Sequence, residues 1–367
     1  MILIDFSSII HRMIHTSVKN AKPSMKDGVF VTSEFIGLTK YYIMQELFSI
    51  KQEHGPNFGD LVICIDKSTA EGYWRKDVYA GYKASRKSGR DESNLDYNEI
   101  FQNINELIEQ IKNNLPWRVL EVPRAEADDI MLVLAQEFSP TEKILIHSPD
   151  KDMIQAQRSD NVFQYSALTK KWLTADTKSD HMEAWVQEHC ILGDAGDEVP
   201  KVIDHTEFTE EFIQYLKDNG LEAETPMDFR AHEAPPERKK ELIENFDVYN
   251  LNRKGESTGV KAIYKQIRFG PTTLAKKIKE HGTVDAWLDS HPLYRPHYER
   301  NFKLVMSEGI PSNIWNEIIV QFKEANTEYN FKEFEDYLTS NELKSILMDL
   351  PSVFKITRDL TAEDYGW

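Results

Sequence analysis

The sequence predicts an α/β fold, a parallel sheet flanked by helices over the first 200 residues, followed by a mostly helical region. Short apolar runs of strand length alternate with longer amphipathic stretches. Those runs are unbroken rather than alternating, as in strands covered on both faces. The 367 residues are 40% hydrophobic and 29% charged, enough apolar surface for a large core in two domains or three.

Five strands are expected in order: Ile2 to Ile4, Leu61 to Ile65, Arg118 to Val122, Lys143 to His147 and, with a weaker pattern, Val162 to Tyr165. Between them, Ile100, Ile104, Leu107, Ile108 and Ile111 recur at helical spacing, and Pro116 closes that helix. Ile130, Leu132, Val133, Leu134 and Phe138 form another apolar helix ended by Pro140. This β-α-β-α-β-α-β order gives a doubly wound or similar sheet, whose ligand sits beyond the carboxyl ends of the strands. After about residue 200 the pattern changes to helices without clear strands, and Leu338 to Leu350 is an amphipathic tail expected to pack on its own domain.

Two cysteines, Cys64 and Cys190, both in apolar surroundings, exclude a disulfide framework and point to a reducing, intracellular, cytoplasmic setting. No apolar run reaches the 18 to 20 residues that span a bilayer, and Met1-Ile2-Leu3-Ile4 lacks the basic start of a secretory signal, so no membrane partner is expected. Lys plus Arg number 44 against 61 Asp plus Glu, a net charge of −17, which taken whole argues against a nucleic-acid partner. The distribution argues otherwise. Asp204 to Asp247 holds thirteen acids against five bases, whereas Arg253 to His281 carries eight Lys or Arg and two Glu, and Arg75 to Arg90 six bases and one acid.

Acids fall at the strand ends. Asp5 ends the first strand and Asp66 the second; Glu126-Ala127-Asp128-Asp129 follows the third and Asp150-Lys151-Asp152 the fourth, with Asp194 and Asp197 beyond. Each alone reads as an N-cap, a first-turn acid or a solvated loop. Gathered at one edge, they repel one another unless cations neutralise them. Hard oxygen donors without Cys or paired His point to Mg²⁺ or Mn²⁺, and their number exceeds what one Mg²⁺ takes. Two ions about 3.5 to 4 Å apart are the usual arrangement for in-line displacement at phosphorus, hence phosphodiester hydrolysis. No Gly-x-Ser-x-Gly elbow, Walker A loop or Gly-x-Gly-x-x-Gly fingerprint offers a rival chemistry. His147 beside Ser148 reads as a strand-terminal core histidine rather than the base of a nucleophile.

The segment after Asp66 interleaves Tyr73, Arg75, Lys76, Tyr82, Lys83, Arg86 and Lys87, a pattern able to stack bases and track phosphates, or else an exposed basic helix with rings packed beneath. In the second basic tract, Lys261 precedes a Gly270-Pro271 turn opening a helix with Thr272, Lys276, Lys277 and Lys279. This arrangement suits sequence-independent contact with duplex phosphates.

Together, Leu3-Ile4-Asp5, Cys64-Ile65-Asp66, Gly72-Tyr73-Trp74-Arg75, Tyr82-Lys83 with Arg86, Glu126-Ala127-Asp128-Asp129 and Asp150-Lys151-Asp152 resemble the structure-specific 5′ nucleases. These form the flap endonuclease and 5′-3′ exonuclease superfamily, and the pattern is most like the ribonuclease H of T-even-type phages. The resemblance spans roughly residues 1 to 200 and 255 to 354. It implies a PIN-like catalytic domain over 1–200 with a helical arch or bridge at about 72–98, an acidic insert over 201–254, a helix-hairpin-helix-like DNA-binding segment over 255–300 and a C-terminal helical region over 301–367. It also implies that Asp5, Asp66, Glu126 and Asp128, with Asp129 beside them, serve a first metal ion, and Asp150, Asp152, Asp194 and Asp197 a second. Lys83 and Arg86 would act on the scissile phosphate, with K⁺ a further ion in the hairpin.

By the same resemblance the substrates are RNA–DNA hybrid and branched or flapped duplex DNA, and the activity is metal-dependent removal of RNA primers during replication. The partners would be a single-strand-binding protein and a sliding clamp, and the chain a monomer. Repair-type flap endonuclease, non-catalytic junction binder and PIN-type ribonuclease on free RNA are the competing readings. The sequence departs from the superfamily pattern at Glu198, which follows Asp197, and in the roughly fifty-residue acidic segment after it.

Overall fold

The computed structural model describes residues 1–84, 93–174, 182–203, 206–223, 229, 232–254, 263–266 and 269–354. The chain divides into two units, one comprising Met1–Glu183 and the stretch from Met306 onward, the other Ala184–Val305.

In the first unit, β1 (Ile2–Asp5) runs into helix α1 (Phe6–Ala21). A hairpin of β2 (Met25–Lys26) and β3 (Val29–Phe30) then leads to α2 (Ile36–Phe58). There follow β4 (Leu61–Cys64), the short α3 (Arg75–Val78), α4 (Tyr97–Asn114), β5 (Arg118–Leu120), α5 (Ala127–Phe138), β6 (Ile144–His147), β7 (Val162–Ser166) and β8 (Lys171–Leu173). The sheet order is β5-β4-β1-β6-β7-β8. All five expected strands are present and pair in parallel, with Ile2 opposite both Leu61 and Leu145, while β8 adds antiparallel to β7.

The period of two along a strand sorts its side chains into two layers. Ile2, Ile4, Leu61, Ile63 and Leu145 face one layer, with α1, α2 and α4. Leu3, Val62, Cys64, Leu120 and Ile146 face the other, with α5. Burial on both faces is why these strands read as unbroken apolar runs. Helix α4 buries Ile100, Ile104, Leu107 and Ile111, and the Asp96 carboxylate caps it by accepting from the Asn98 and Glu99 amides.

The amphipathic tail packs on its own unit as expected. Phe334 and Leu338, then Ile346 and Leu350, join the α1–α2 layer, whereas Ile314, Ile318 and Phe322 cover α5.

The second unit begins in α6 (Met182–Leu192). The stretch after 200, expected without strands, contains two: β9 (Thr206–Phe208) and, after α7 (Glu210–Asp218) and α8 (Pro236–Lys254), β10 (Tyr264–Gln266), paired antiparallel. The acidic insert has its own apolar core of Phe208, Phe212, Leu216, Leu242, Phe246 and Ile263. Helices α9 (Pro271–His281), α10 (Val284–Asp289) and α11 (Arg295–Val305) follow, with Leu274, Trp287 and Leu288 packed against Ile191 and Val202. Both cysteines are buried, and no disulfide joins them. Among the described residues no helix is long and apolar enough to cross a membrane.

Candidate metal and active site

Parallel strands bring their carboxyl ends to one edge, and the side chains there are fixed by neighbouring loops. Asp5 ends β1 and caps α1: one carboxylate oxygen accepts from the Ser8 amide (3.0 Å) and the other from the Ser148 hydroxyl (2.8 Å). Asp66, two residues past β4, accepts from the Ser7 hydroxyl (2.7 Å) and from the Ala127 amide (2.7 Å), tying the loop to the start of α5. Past β6, Asp150 accepts from the Asp152 amide (2.8 Å), and the Gln164 side chain donates to the carbonyls of Ser148 (3.1 Å) and Asp150 (2.6 Å), which fixes that turn.

The carboxylates act on one another. Burial, reinforced by Asp66 and Asp150 and opposed by the hydrogen bonds from Ser8 and Ser148, pushes Asp5 up to about 6. Asp128 is driven well above the usual carboxylate range, first by burial and then by Asp150 and Asp5, with Lys83 opposing. Such crowding is what a divalent cation relieves, and the oxygen donors at this edge fit a hard one.

Three of the expected site residues are buried and hydrogen-bonded within the fold. Asp129, placed among the metal ligands, is fully buried and spent on structure. It pairs with Arg75 (2.8 Å) and accepts from the Trp74 indole (3.0 Å) and the Glu126 amide (2.9 Å). Arg75, placed on the nucleic acid, is only 4% exposed, because its guanidinium is shared between Glu126 (2.9 Å) and Asp129. Tyr82, placed there too, is 2% exposed and donates its hydroxyl to Glu126 (2.7 Å), so its ring is not displayed for stacking.

Glu126 is therefore embraced by Arg75, Tyr82 and Lys83. Burial pushes its carboxyl up, but Lys83 and Arg75 outweigh burial and hold it below the usual range. Lys83 is buried, with a left-handed backbone (φ 50°). Tyr73 and Lys76 are half-buried, and Arg86, Lys87 and Lys261 lie outside the described residues.

His147 and Ser148 are not a catalytic pair. The Ser148 hydroxyl donates to Asp5, while the His147 ring lies in an aromatic cluster, 5.8 Å from Tyr165 and 6.4 Å from His54. Burial, opposed by Glu46 and helped by His54 and Arg12, pushes its imidazole down to about 4. The unfolded chain, with an ordinary histidine pKa of roughly 6.5, therefore binds this proton first. Stability is lost as pH falls from about 6.5 towards about 4, by on the order of 3 kcal/mol. His147→Gln is expected to remove that penalty. Its melting temperature relative to the parent should rise as pH falls through this window; a constant difference contradicts the assignment.

One feature was missed in the sequence. A cleft of about 480 Å³ opens beside Asp5, and α1 lines it with Ser8, Arg12, His15 and Lys19, opposite Leu168. Positions 12, 15 and 19 follow the i, i+3, i+7 spacing of one helix face, which is the signal that could have found them. Arg12 also pairs with Glu46 (2.7 Å).

In the second unit, Asp194 and Asp197 share a tight loop. Asp194 accepts from the Gly196 amide (2.6 Å) and the Asp197 amide (3.3 Å), and His189 lies 3.0 Å from its other oxygen, holding its carboxyl well below the usual range. Gly270 caps α9 with Pro271 at the first turn, leaving Thr272 exposed. Lys276 and Lys277 both reach Glu280, at 3.9 and 3.1 Å.

A mostly parallel sheet flanked by helices, with acids at its carboxyl edge, places the chain among α/β proteins whose ligands sit at that edge. Residues 1–189 match the 5′-3′ exonuclease, N-terminal resolvase-like domain family, and the chain belongs to that family. It is 30% identical over 208 residues to ribonuclease H of Enterobacteria phage T4, a match covering 56% of this chain and 64% of that protein. It is 28% identical over 172 residues to a 5′-3′ exonuclease of Aquifex aeolicus (strain VF5), covering 44% of this chain and 53% of the relative. The chain thus spans less than two thirds of the length of these curated relatives. The T5 D15 protein, co-crystallised with metal ions, shares the fold at a TM-score of 0.52 and 13% identity, over 88% of this chain and 98% of that one. T5 5′-exonuclease with bound zinc does so at 0.50 and 14%, over 89% and 99%.

Proposed function

We propose that this chain is a divalent-metal-dependent 5′-3′ nuclease of the phage ribonuclease H type. It hydrolyses phosphodiester bonds to remove RNA primers with adjoining DNA, or 5′ flaps, during replication. The observation that carries this reading is the placing of Asp5, Asp66, Asp128 and Asp150 at the carboxyl edge of the sheet, where burial first and neighbouring carboxylates second push Asp5 and Asp128 upward.

Asp5, Asp66, Glu126 and Asp128 are the proposed holders of one Mg²⁺ or Mn²⁺. Asp150 and Asp152 on the first unit, and Asp194 and Asp197 on the second, are the remaining proposed ligands. Bound divalent cations supply a water of lowered pKa and positive charge at the leaving oxygen. The chain's own residues orient the substrate. Lys83 and Arg86 direct charge at the scissile phosphate, and the α1 face of Arg12, His15 and Lys19 offers phosphates a track beside Asp5. Trp74, Arg75 and Asp129 are buried scaffolding that aims Glu126.

The test is incubation of 5′-labelled RNA–DNA hybrid and of flapped duplex with Mg²⁺ and with EDTA. Short labelled products from the 5′ end in Mg²⁺ alone are expected; no Mg²⁺-dependent cleavage of either substrate overturns the reading. The exposed start of α9 is a further proposed contact, to duplex phosphates. The double variant Lys276→Glu, Lys277→Glu should weaken duplex binding and flatten the slope of log K against log salt by about two, one contact each. An unchanged slope removes those lysines from the interface.

A further inference from the structure

We infer that Asn301 is a positioning residue that holds the Asp194–Asp197 loop in the geometry that takes a divalent cation. This rests on the proposed metal role of those two aspartates.

Asn301, on α11, is fully buried, and its amide is used completely. The nitrogen donates to the Cys190 carbonyl (2.8 Å) and the Pro200 carbonyl (2.7 Å), while the oxygen accepts from Arg300 Nε (3.0 Å) and Nη2 (2.9 Å). The opposite amide orientation would set oxygen against two carbonyls and nitrogen against a guanidinium, so the orientation is fixed by chemistry. Cys190 and Pro200 flank the loop on either side. One side chain therefore ties its entry to its exit.

The loop needs that tie because its backbone is demanding. The Asp194 amide donates to the Val199 carbonyl (3.0 Å), the Val199 amide to the Asp194 carbonyl (2.8 Å), and below them the Val202 amide to the Ile191 carbonyl (2.9 Å). Gly193 sits at φ 68°, where a Cβ would come within 2.3 Å of the Val199 carbonyl oxygen. Glu198, at φ 57°, holds a left-handed conformation unfavourable to its side chain. Within this ladder the Asp194 carboxylate accepts from the Gly196 and Asp197 amides, so its direction follows the loop backbone. Without the two amide donors the bonds to the Cys190 and Pro200 carbonyls are lost, and the ladder keeps only its own backbone bonds to hold entry against exit.

The substitution Asn301→Asp keeps shape and the acceptor towards Arg300 but removes both donors. Asn301→Ser keeps one small donor. Mn²⁺ binding by the full chain, followed by electron paramagnetic resonance, separates positioning from mere stability. Asp194→Asn should abolish one class of Mn²⁺ site. Asn301→Asp should weaken that same class about tenfold, as loss of support behind a metal ligand does, and Asn301→Ser should fall between Asp and the parent. Cleavage should recover towards the parent rate at saturating Mn²⁺. If Asn301→Asp does not fold, by circular dichroism, Asn301→Ser alone decides. Parent-like Mn²⁺ isotherms in the folded variants, with Asp194→Asn still losing its site, overturn the positioning role and leave the metal reading intact. A parent-like isotherm in Asp194→Asn overturns the metal reading of the loop instead.

Discussion

Asp150→Asn is expected to abolish Mg²⁺-dependent cleavage, by about 1,000-fold or more, while nucleic-acid binding survives. The figure follows from several kcal/mol of charge stabilisation at about 1.36 kcal/mol per tenfold. The asparagine oxygen can still accept from the Asp152 amide, and the turn is fixed through its backbone carbonyl by Gln164, so the fold has no reason to change. What disappears is the negative charge that raises both Asp5 and Asp128. The same loss should raise the melting temperature in EDTA, because a like charge has left a crowded buried site. Gel-shift binding in EDTA beside cleavage in Mg²⁺ measures both halves; cleavage within tenfold of the parent removes Asp150 from the site.

Lys83→Ala is expected to slow turnover at saturating substrate by about 100-fold, the size of losing one well-placed charged donor. Lys83 is held among acids, pairing with Glu126, helping to hold it down and opposing the rise of Asp128. Its left-handed backbone (φ 50°) shows that the surrounding chain imposes its position. Glu126 keeps Arg75 and Tyr82 when Lys83 is lost, so the scaffold survives. Single-turnover rates at saturating substrate, with binding measured separately, distinguish a role on the phosphate from a structural ion pair. An unchanged rate with lowered stability shows the latter.

How much of this was legible in the sequence depended on burial. The five parallel strands were readable because covering both faces demands unbroken apolar runs, and an acid stood after each of the first four. The short strands were not: β8, β9 and β10 have three residues each, with Lys171, Glu207 and Lys265 among them, too brief for any period to register. Charge was legible but its exposure was not. Arg75 and Asp129 carry the residue types of a nucleic-acid contact and a metal ligand, yet they neutralise one another inside the fold. The basic face of α1 was diluted by the apolar residues Ile9, Ile10, Met13 and Ile14 that bury its other side. In the insert, the thirteen acids surround the widely spaced Phe208, Phe212 and Phe246, which pack together into an apolar core of their own.

The carboxyl edge of the sheet is the proposed seat of the divalent cations. Mn²⁺ located by anomalous scattering in crystals of the chain tests it most directly. A peak is expected at about 2.1 Å from carboxylate oxygens of Asp5, Asp66, Asp128 or Asp150, the bond length of a hard cation to oxygen. Peaks confined to surface acids, with that edge empty at saturating Mn²⁺, contradict it.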